Sequence, residues 1–120
     1  LRVKTASVSQ PITALSGGNQ QKALLARWLT VQPKVLLLDD PTRGIDVAAK
    51  AEIYDLFERL TAGGTALLVS SSDLPELLTI CDRILVMAAG RVVGELTPDQ
   101  FSEERVMALA TGAHNIKERE

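Results

Sequence analysis

Two adjacent aspartates follow a short apolar run and could bind a metal ion or activate a water molecule. The run "VLLLD" spans Val35 to Asp39, and Asp40 comes directly after it. A continuous apolar run of this length is typical of a parallel strand buried on both faces. Ligands collect at the carboxyl edge of such sheets, where Asp39 could hold Mg²⁺ through water and Asp40 could orient or deprotonate a water molecule. The alternative is a pair of turn-forming acids before Pro41.

A second candidate site is the segment "SGGNQ", residues 16–20, which opens a helix. The first amides of a helix have no partner within the helix, and they carry a partial positive charge. Gly17 and Gly18 let a ligand approach these amides closely, so the segment could bind a phosphate. The alternative is a plain N-cap at Ser16 with a flexible lead-in.

The elements that must position these residues alternate along the chain. Helices are predicted from Ser16 to about Val31, from Asp46 to Leu60, from Leu74 to Ile80 and from Thr97 to about Ala110. Strands are predicted at residues 35–39, 65–70 and 83–87, and an exposed strand follows a turn at Gly90. This alternation predicts an α/β fold with a mostly parallel sheet and flanking helices.

Local signals mark the ends and the buried faces of these helices. Asp46 is a candidate N-cap, and "TPDQ" at residues 97–100 is a capping box with proline at the first helical position. Apolar residues at helical spacing predict the buried stripes of the first two helices. They are Leu24, Leu25, Trp28 and Leu29 in the first helix, and Ile53, Leu56, Phe57 and Leu60 in the second.

Composition excludes several classes of protein. Hydrophobic residues make up 46% of the 120 residues, which predicts a folded domain with a core. The formal net charge of -2, with both signs well mixed, argues against a nucleic-acid-binding protein. No apolar run is long enough to span a membrane. The single cysteine, Cys81, excludes an internal disulfide and is expected to be a small core residue.

The order and spacing of the motifs resemble the nucleotide-binding domain of ABC-type ATPases. Residues 15–20, "LSGGNQ", are similar to the signature motif of that family, residues 36–39, "LLLD", to its Walker B strand, and residues 43–46, "RGID", to its D-loop. "LLVSSSDLPEL" resembles the H-loop region, and "DRILVM" the strand that follows it. The variants "GGNQQK" and "PTRGIDVAAK" are similar to the second ATPase domain of fused proteins that power bacterial importers of ribose, galactose or arabinose.

One family motif is absent from the chain. A P-loop requires G-x-x-x-x-G-K-[ST], and none of the five lysines follows a glycine. The family places its P-loop and glutamine loop upstream of the signature motif. The resemblance therefore implies a partial P-loop NTPase (ABC ATPase) fold with the Walker A portion absent. Residues 1–120 would be the C-terminal part of one nucleotide-binding domain, with a loose tail at residues 111–120.

The resemblance also implies roles for the glycine-rich segment. In the family, two domains enclose two ATP molecules head to tail, and each ATP lies between one domain's P-loop and the other domain's signature motif. Ser16 would donate its hydroxyl to the γ-phosphate, and Gly17 and Gly18 would donate backbone N–H groups. Asn19 and Gln20 would complete this nucleotide-binding segment. The lysine would come from the partner domain.

The acidic residues would belong to the domain's own ATP site. By the resemblance, Asp39 would bind Mg²⁺, and Asp40 stands where the family usually has a glutamate that polarises the attacking water. Ser72 stands at the position of the family's switch histidine. Because aspartate is one methylene shorter and serine has no ring nitrogen, we expect weak or absent hydrolysis at this site. Asp46, in the D-loop, would reach towards the partner's site.

The function implied is that of an ATPase part energising sugar import, with ATP and Mg²⁺ as cofactors. Its partners would be a second ABC nucleotide-binding domain and transmembrane permease subunits, at the cytoplasmic face of the bacterial inner membrane. The protein itself would bind no nucleic acid and would not span the membrane. The 120-residue chain alone is predicted to be inactive. Two alternatives remain open: a non-catalytic module that only binds a partner, and an ABC ATPase with no role in transport.

Overall fold

The computed structural model describes residues 17–112, which fall into two compact units, one ending at Ser72 and one beginning at Asp73. The helices are α1 (Gly17–Val31), α2 (Val47–Ala62), α3 (Leu74–Ile80) and α4 (Glu103–Thr111), and the strands are β1 (Val35–Asp39), β2 (Ala66–Ser70), β3 (Ile84–Ala88) and β4 (Arg91–Leu96). No helix within residues 17–112 is both long and apolar enough to cross a membrane.

The first unit is built on a parallel pair of strands. β1 and β2 pair from Val35 with Ala66 to Asp39 with Ser70, so both strands end at the same edge. The crossover between them is α2, which packs against α1 and β2. The stripe predicted for α2 is buried, and its members lie in the core with two further residues. This core consists of Leu25, Leu36, Ile53, Leu56, Phe57 and Leu60.

The prediction that β1 is buried on both faces is wrong. Leu36 is 7% exposed, whereas its neighbours Val35 and Leu37 are 60% and 70% exposed. Because side chains alternate between the faces of a strand, only the face that carries Leu36 is covered by the described residues of this unit. Leu68 on β2 is opposite Leu37 and is also exposed. One face of the sheet is therefore an exposed apolar surface.

The second unit contains an antiparallel hairpin. β3, the third strand predicted from the sequence, pairs with β4 in a separate sheet. The turn predicted at Gly90 is present, and both Ala89 and Gly90 have positive φ, at 51° and 78°. Two such residues are typical of the tightest hairpin turns. The core of this unit comprises Ile84, Val86, Leu96 and Val106, and Cys81 packs against it half-buried.

The last helix begins later than the capping box predicts. Pro98–Gln100 forms a single 3₁₀ turn, and Phe101 then returns to extended backbone. Ser102 is the N-cap of α4, where its hydroxyl accepts a hydrogen bond from the amide of Arg105. Thr111, placed in the loose tail by the sequence, is the last residue of α4. Gly112 is the C-cap of α4, and residues 113–120 of the predicted tail lie outside the described residues. The α/β fold with a parallel strand pair and flanking helices is confirmed.

Candidate functional site

The glycine-rich segment lies at the N-terminus of α1, as predicted. Gly17 is the first residue of the helix and is exposed. Among the described residues, a Cβ atom built on Gly17 would have no neighbour within 4 Å, so no part of residues 17–112 fills the space next to its backbone. Asn19 and Gln20 follow in the first turn and are half-buried. Ser16 lies outside the described residues, so its predicted hydroxyl contact stays a prediction.

Gly18 has a packing role that the sequence analysis missed. A Cβ atom at this position would lie 2.8 Å from Cβ of Ala49 and 3.5 Å from Cγ2 of Ile45. The first of these distances is too short for any real side chain, so only glycine allows α1 and α2 to come this close. The signal available in the sequence was the small residue Ala49 one turn into α2.

Asp46 caps α2 and lies beside the glycine-rich segment. Its carboxylate Oδ1 accepts a hydrogen bond of 2.8 Å from the amide of Ala49, which confirms the predicted N-cap. Asp46 is exposed, and its neighbour Ile45 and its capping partner Ala49 both contact the position of Gly18. The structure therefore brings together two segments, Gly17–Gln20 and Asp46, that are far apart in the sequence.

An ion pair joins the same two helices one turn further along. Nζ of Lys22 on α1 donates a hydrogen bond of 2.6 Å to Oε2 of Glu52 on α2. The Lys22 side chain is only 7% exposed, and that of Glu52 is 47% exposed. Sequence reasoning missed this pair, although a lysine three residues before the buried Leu25 was a signal of it.

A second cluster lies at the carboxyl ends of β1 and β2, at the edge predicted for ligand binding. Asp39 and Ser70 are register partners, and the Ser70 hydroxyl donates a hydrogen bond of 2.6 Å to Oδ1 of Asp39. Ser70 was not among the predicted site residues. Within residues 17–112 no set of three acidic, histidine or cysteine side chains is placed to bind a metal ion by itself.

Asp40 and Ser72 contact each other directly. Oδ1 of Asp40 accepts hydrogen bonds from the backbone N–H of Ser72 at 2.9 Å and from its hydroxyl at 3.1 Å. The Ser72 amide is the largest influence on the pKa of Asp40, and with the Ser72 hydroxyl and Arg43 it lowers that pKa, while desolvation partly opposes the change. The sequence analysis placed both residues at one site, and their mutual hydrogen bonds are a finding of the structure.

Backbone geometry fixes Asp40 in this position. Its φ angle is 48°, in the left-handed region that aspartate tolerates better than most residues. Its N–H donates a hydrogen bond of 2.7 Å to the carbonyl oxygen of Ser70, which extends the pairing of β1 and β2 beyond the strand ends. The buried residues Pro41 and Thr42 then lead into the loop that ends at Asp46.

Comparison with known proteins gives close relatives among transporter ATP-binding proteins. A family model for ABC transporters matches residues 2–43. The chain is 56% identical over 114 residues to the ribose import ATP-binding protein RbsA 2 of Streptomyces coelicolor, covering 95% of this chain and 22% of that protein. It is 54% identical over 115 residues to RbsA of Clostridium perfringens, covering 96% of this chain and 23% of that protein. The chain is homologous to these import proteins and spans less than a quarter of their length.

Solved structures share the fold. The protein cbiO1 of Clostridium perfringens, part of an ABC transporter complex, aligns with a TM-score of 0.68 and 31% identity, covering 82% of this chain and 39% of that chain. The ATP-binding cassette MJ1267 of an ABC transporter aligns with a TM-score of 0.70 and 24% identity, covering 83% of this chain and 42% of that chain. The second likeness concerns the fold alone. The described residues therefore have the predicted α/β fold of ABC ATPase domains.

Proposed function

We propose that this chain is the part of a sugar-importing ATPase whose α1 N-terminus covers an ATP molecule bound to a second nucleotide-binding domain. The observation that carries the proposal is the open space at Gly17, the first residue of an exposed helix N-terminus. A helix N-terminus attracts phosphate through its amides and its dipole. The homology to ribose import ATP-binding proteins supports ATP as the ligand and a sugar as the transported substrate.

The arrangement requires a partner domain in head-to-tail orientation. In this orientation the nucleotide that α1 covers lies on the partner's P-loop, so the partner supplies the phosphate-binding lysine. Ser16 donates its hydroxyl to the γ-phosphate, Gly17 and Gly18 donate backbone amides, and Asn19 and Gln20 border them. The adjacent Asp46 faces the same interface.

The carboxyl ends of β1 and β2 fit a magnesium site that the nucleotide completes. Mg²⁺ keeps several waters and takes one or two carboxylates together with substrate phosphates. Asp39, with the Ser70 hydroxyl beside it, supplies one such carboxylate. Mg²⁺ bound there would offset the negative charge of the transferring phosphoryl group.

Hydrolysis at this second site is weak in our proposal. A general base works best with a pKa near the working pH, and the two Ser72 hydrogen bonds move the pKa of Asp40 in the other direction. The carboxylate is also held towards Ser72 and is one methylene shorter than the usual glutamate. ATP turnover therefore occurs mainly at the site that α1 covers.

The assembled protein works with transmembrane permease subunits. We place it on the cytoplasmic face of the bacterial inner membrane, where ATP is available and where an import ATPase must contact its permease. Closing of the two nucleotide-binding domains around ATP would then drive the permease. This assignment rests on the homology to ribose import ATP-binding proteins.

A valine at Gly17 tests the proposal in the full-length protein assembled with its permease subunits. Because a Cβ atom at Gly17 has no neighbour within 4 Å among residues 17–112, the variant Gly17→Val should fold as the parent does. It should lower ATP turnover about ten-fold or more, since it obstructs the phosphate donors. Turnover is measured by phosphate release, and folding by thermal melting.

The matched control is Ala62→Val. Ala62 is exposed and is the last residue of α2, at the end of the helix away from Asp46. This variant should leave turnover and melting unchanged. If Gly17→Val folds normally and keeps full turnover, α1 does not cover a nucleotide, and the alternative of a module that only binds a partner is favoured.

A further inference from the structure

The helices α1 and α2 meet at two successive contacts. The first is the close approach of Gly18 to Ala49, and the second is the ion pair of Lys22 with Glu52. Residues three or four positions apart lie on the same face of a helix. The second contact involves later residues than the first on both helices, so α1 and α2 run in the same direction here. Their N-termini, which carry Gly17–Gln20 and Asp46, are side by side for that reason.

The ion pair restrains the two helices in a way that the apolar contacts do not. Hydrophobic contacts are non-directional, and Gly18 has no side chain to interlock with α2. The ammonium group of Lys22 is nearly buried, so losing its carboxylate partner is costly. A hydrogen bond of 2.6 Å to Glu52 thus fixes both the rotation of α1 and its position along α2.

We propose that Lys22 and Glu52 are positioning residues that hold Gly17–Gln20 in a fixed arrangement with Asp46. Both segments then reach the partner's nucleotide together when the two domains close. This inference rests on the proposed function, since it concerns how the nucleotide-covering end of α1 is aligned. Neither residue touches the nucleotide itself.

The experiment measures KM for ATP and kcat in the full-length protein assembled with its permease subunits. The variants are Lys22→Met, Glu52→Gln and the two combined. Each single variant should raise KM for ATP about ten-fold, because a misaligned α1 weakens nucleotide binding more than it changes the chemical step. The combined variant should be no worse than either single one, because both remove the same interaction.

Two further variants separate positioning from general stability. Lys22→Arg keeps the charge and should hold KM within about two-fold of the parent value. Asp55→Asn removes the exposed ion pair between Asp55 and Arg59 on the same helix, and KM should not change. Thermal melting and the yield of soluble protein report the folded fraction of every variant. If Lys22→Met does not fold, Glu52→Gln, with its half-exposed side chain, carries the test.

The inference is overturned if KM stays at the parent value while kcat falls only in proportion to the folded fraction. It is also overturned if the effects of the two single variants multiply in the combined variant. Gly17→Val is measured in parallel. If it lowers turnover while Lys22→Met and Glu52→Gln leave KM unchanged, the inference fails and the proposed function stands. If Gly17→Val has no effect, both fail.

Discussion

At the residue scale, Asp40 and Ser72 are joined by hydrogen bonds from Ser72 to the carboxylate of Asp40. A glutamate and a histidine at these positions would present a base and a ring nitrogen to the nucleotide that we propose binds here, whereas Asp40 accepts two hydrogen bonds from Ser72. The pair joins the loop after β1 to the loop after β2. The two residues that we propose weaken hydrolysis therefore also form a contact between the ends of the two strands.

Replacing both residues tests this interpretation. The double variant Asp40→Glu with Ser72→His should raise ATP turnover at this site about ten-fold or more, because it supplies a longer carboxylate and a titratable ring. Turnover is measured in the full-length protein with the partner site silenced. The control is the single variant Ser72→Ala, which removes the hydroxyl hydrogen bond to Asp40, keeps the backbone one and supplies no longer carboxylate. Unchanged turnover in the double variant would show that another defect limits the site.

At the element scale, the close packing of α1 on α2 distinguishes the two glycines of the glycine-rich segment. A Cβ atom at Gly17 would have no neighbour within 4 Å in the described part of the chain, whereas one at Gly18 would collide with Ala49. Motif comparison treats the two as one unit that lets a phosphate approach. The structure separates them: Gly18 is required by the packing of α1 on α2, whereas a side chain at Gly17 would contact no other described residue within 4 Å of its Cβ atom.

Alanine substitutions should therefore have opposite effects on stability. Gly18→Ala should lower the free energy of unfolding by about 1–3 kcal/mol, because the new methyl group forces the helices apart. Gly17→Ala should leave it unchanged or raise it by up to about 1 kcal/mol, since alanine favours a helix more than glycine does. Denaturant unfolding of the full-length protein measures both. Equal losses of stability would contradict the packing observed at Gly18.

At the scale of the whole molecule, the parallel sheet has one covered face and one exposed face. Val35, Leu37 and Leu68 form an apolar surface on the exposed side. The nucleotide contacts proposed for the chain are also incomplete. They include backbone amides at the N-terminus of α1 and a magnesium-binding carboxylate, but no P-loop. Both observations are consistent with the chain spanning less than a quarter of the length of its curated relatives.

The 120-residue chain alone should accordingly show no appreciable affinity for ATP. A helix N-terminus by itself contributes modest electrostatic attraction, which does not replace a lysine and a complete phosphate-binding loop. Titration calorimetry with Mg-ATP should give no measurable heat of binding, and the full-length protein under the same conditions is the positive control. Tight binding by the 120-residue chain would contradict the proposal that its α1 amides contact an ATP molecule held mainly by a second domain.

The sequence alone determined those features that depend on neighbouring residues. The N-cap at Asp46 and the turn at Gly90 are local signals, because a cap or a turn involves only a few consecutive residues. The motif order was sufficient to indicate an ABC-type ATPase. The predicted start of α4 was wrong because two N-cap residues lie close together. Thr97 caps only the 3₁₀ turn and Ser102 caps α4, and local sequence does not show which of them begins the longer helix.

Only the tertiary structure decided which distant residues meet. Lys22 and Glu52 are 30 positions apart, and Asp40 and Ser72 are 32 positions apart. Their contacts depend on how α1 packs against α2 and on the register of β1 with β2. The exposure of one face of β1 has the same origin, because burial depends on which elements cover a strand, and a strand's own residues do not specify them.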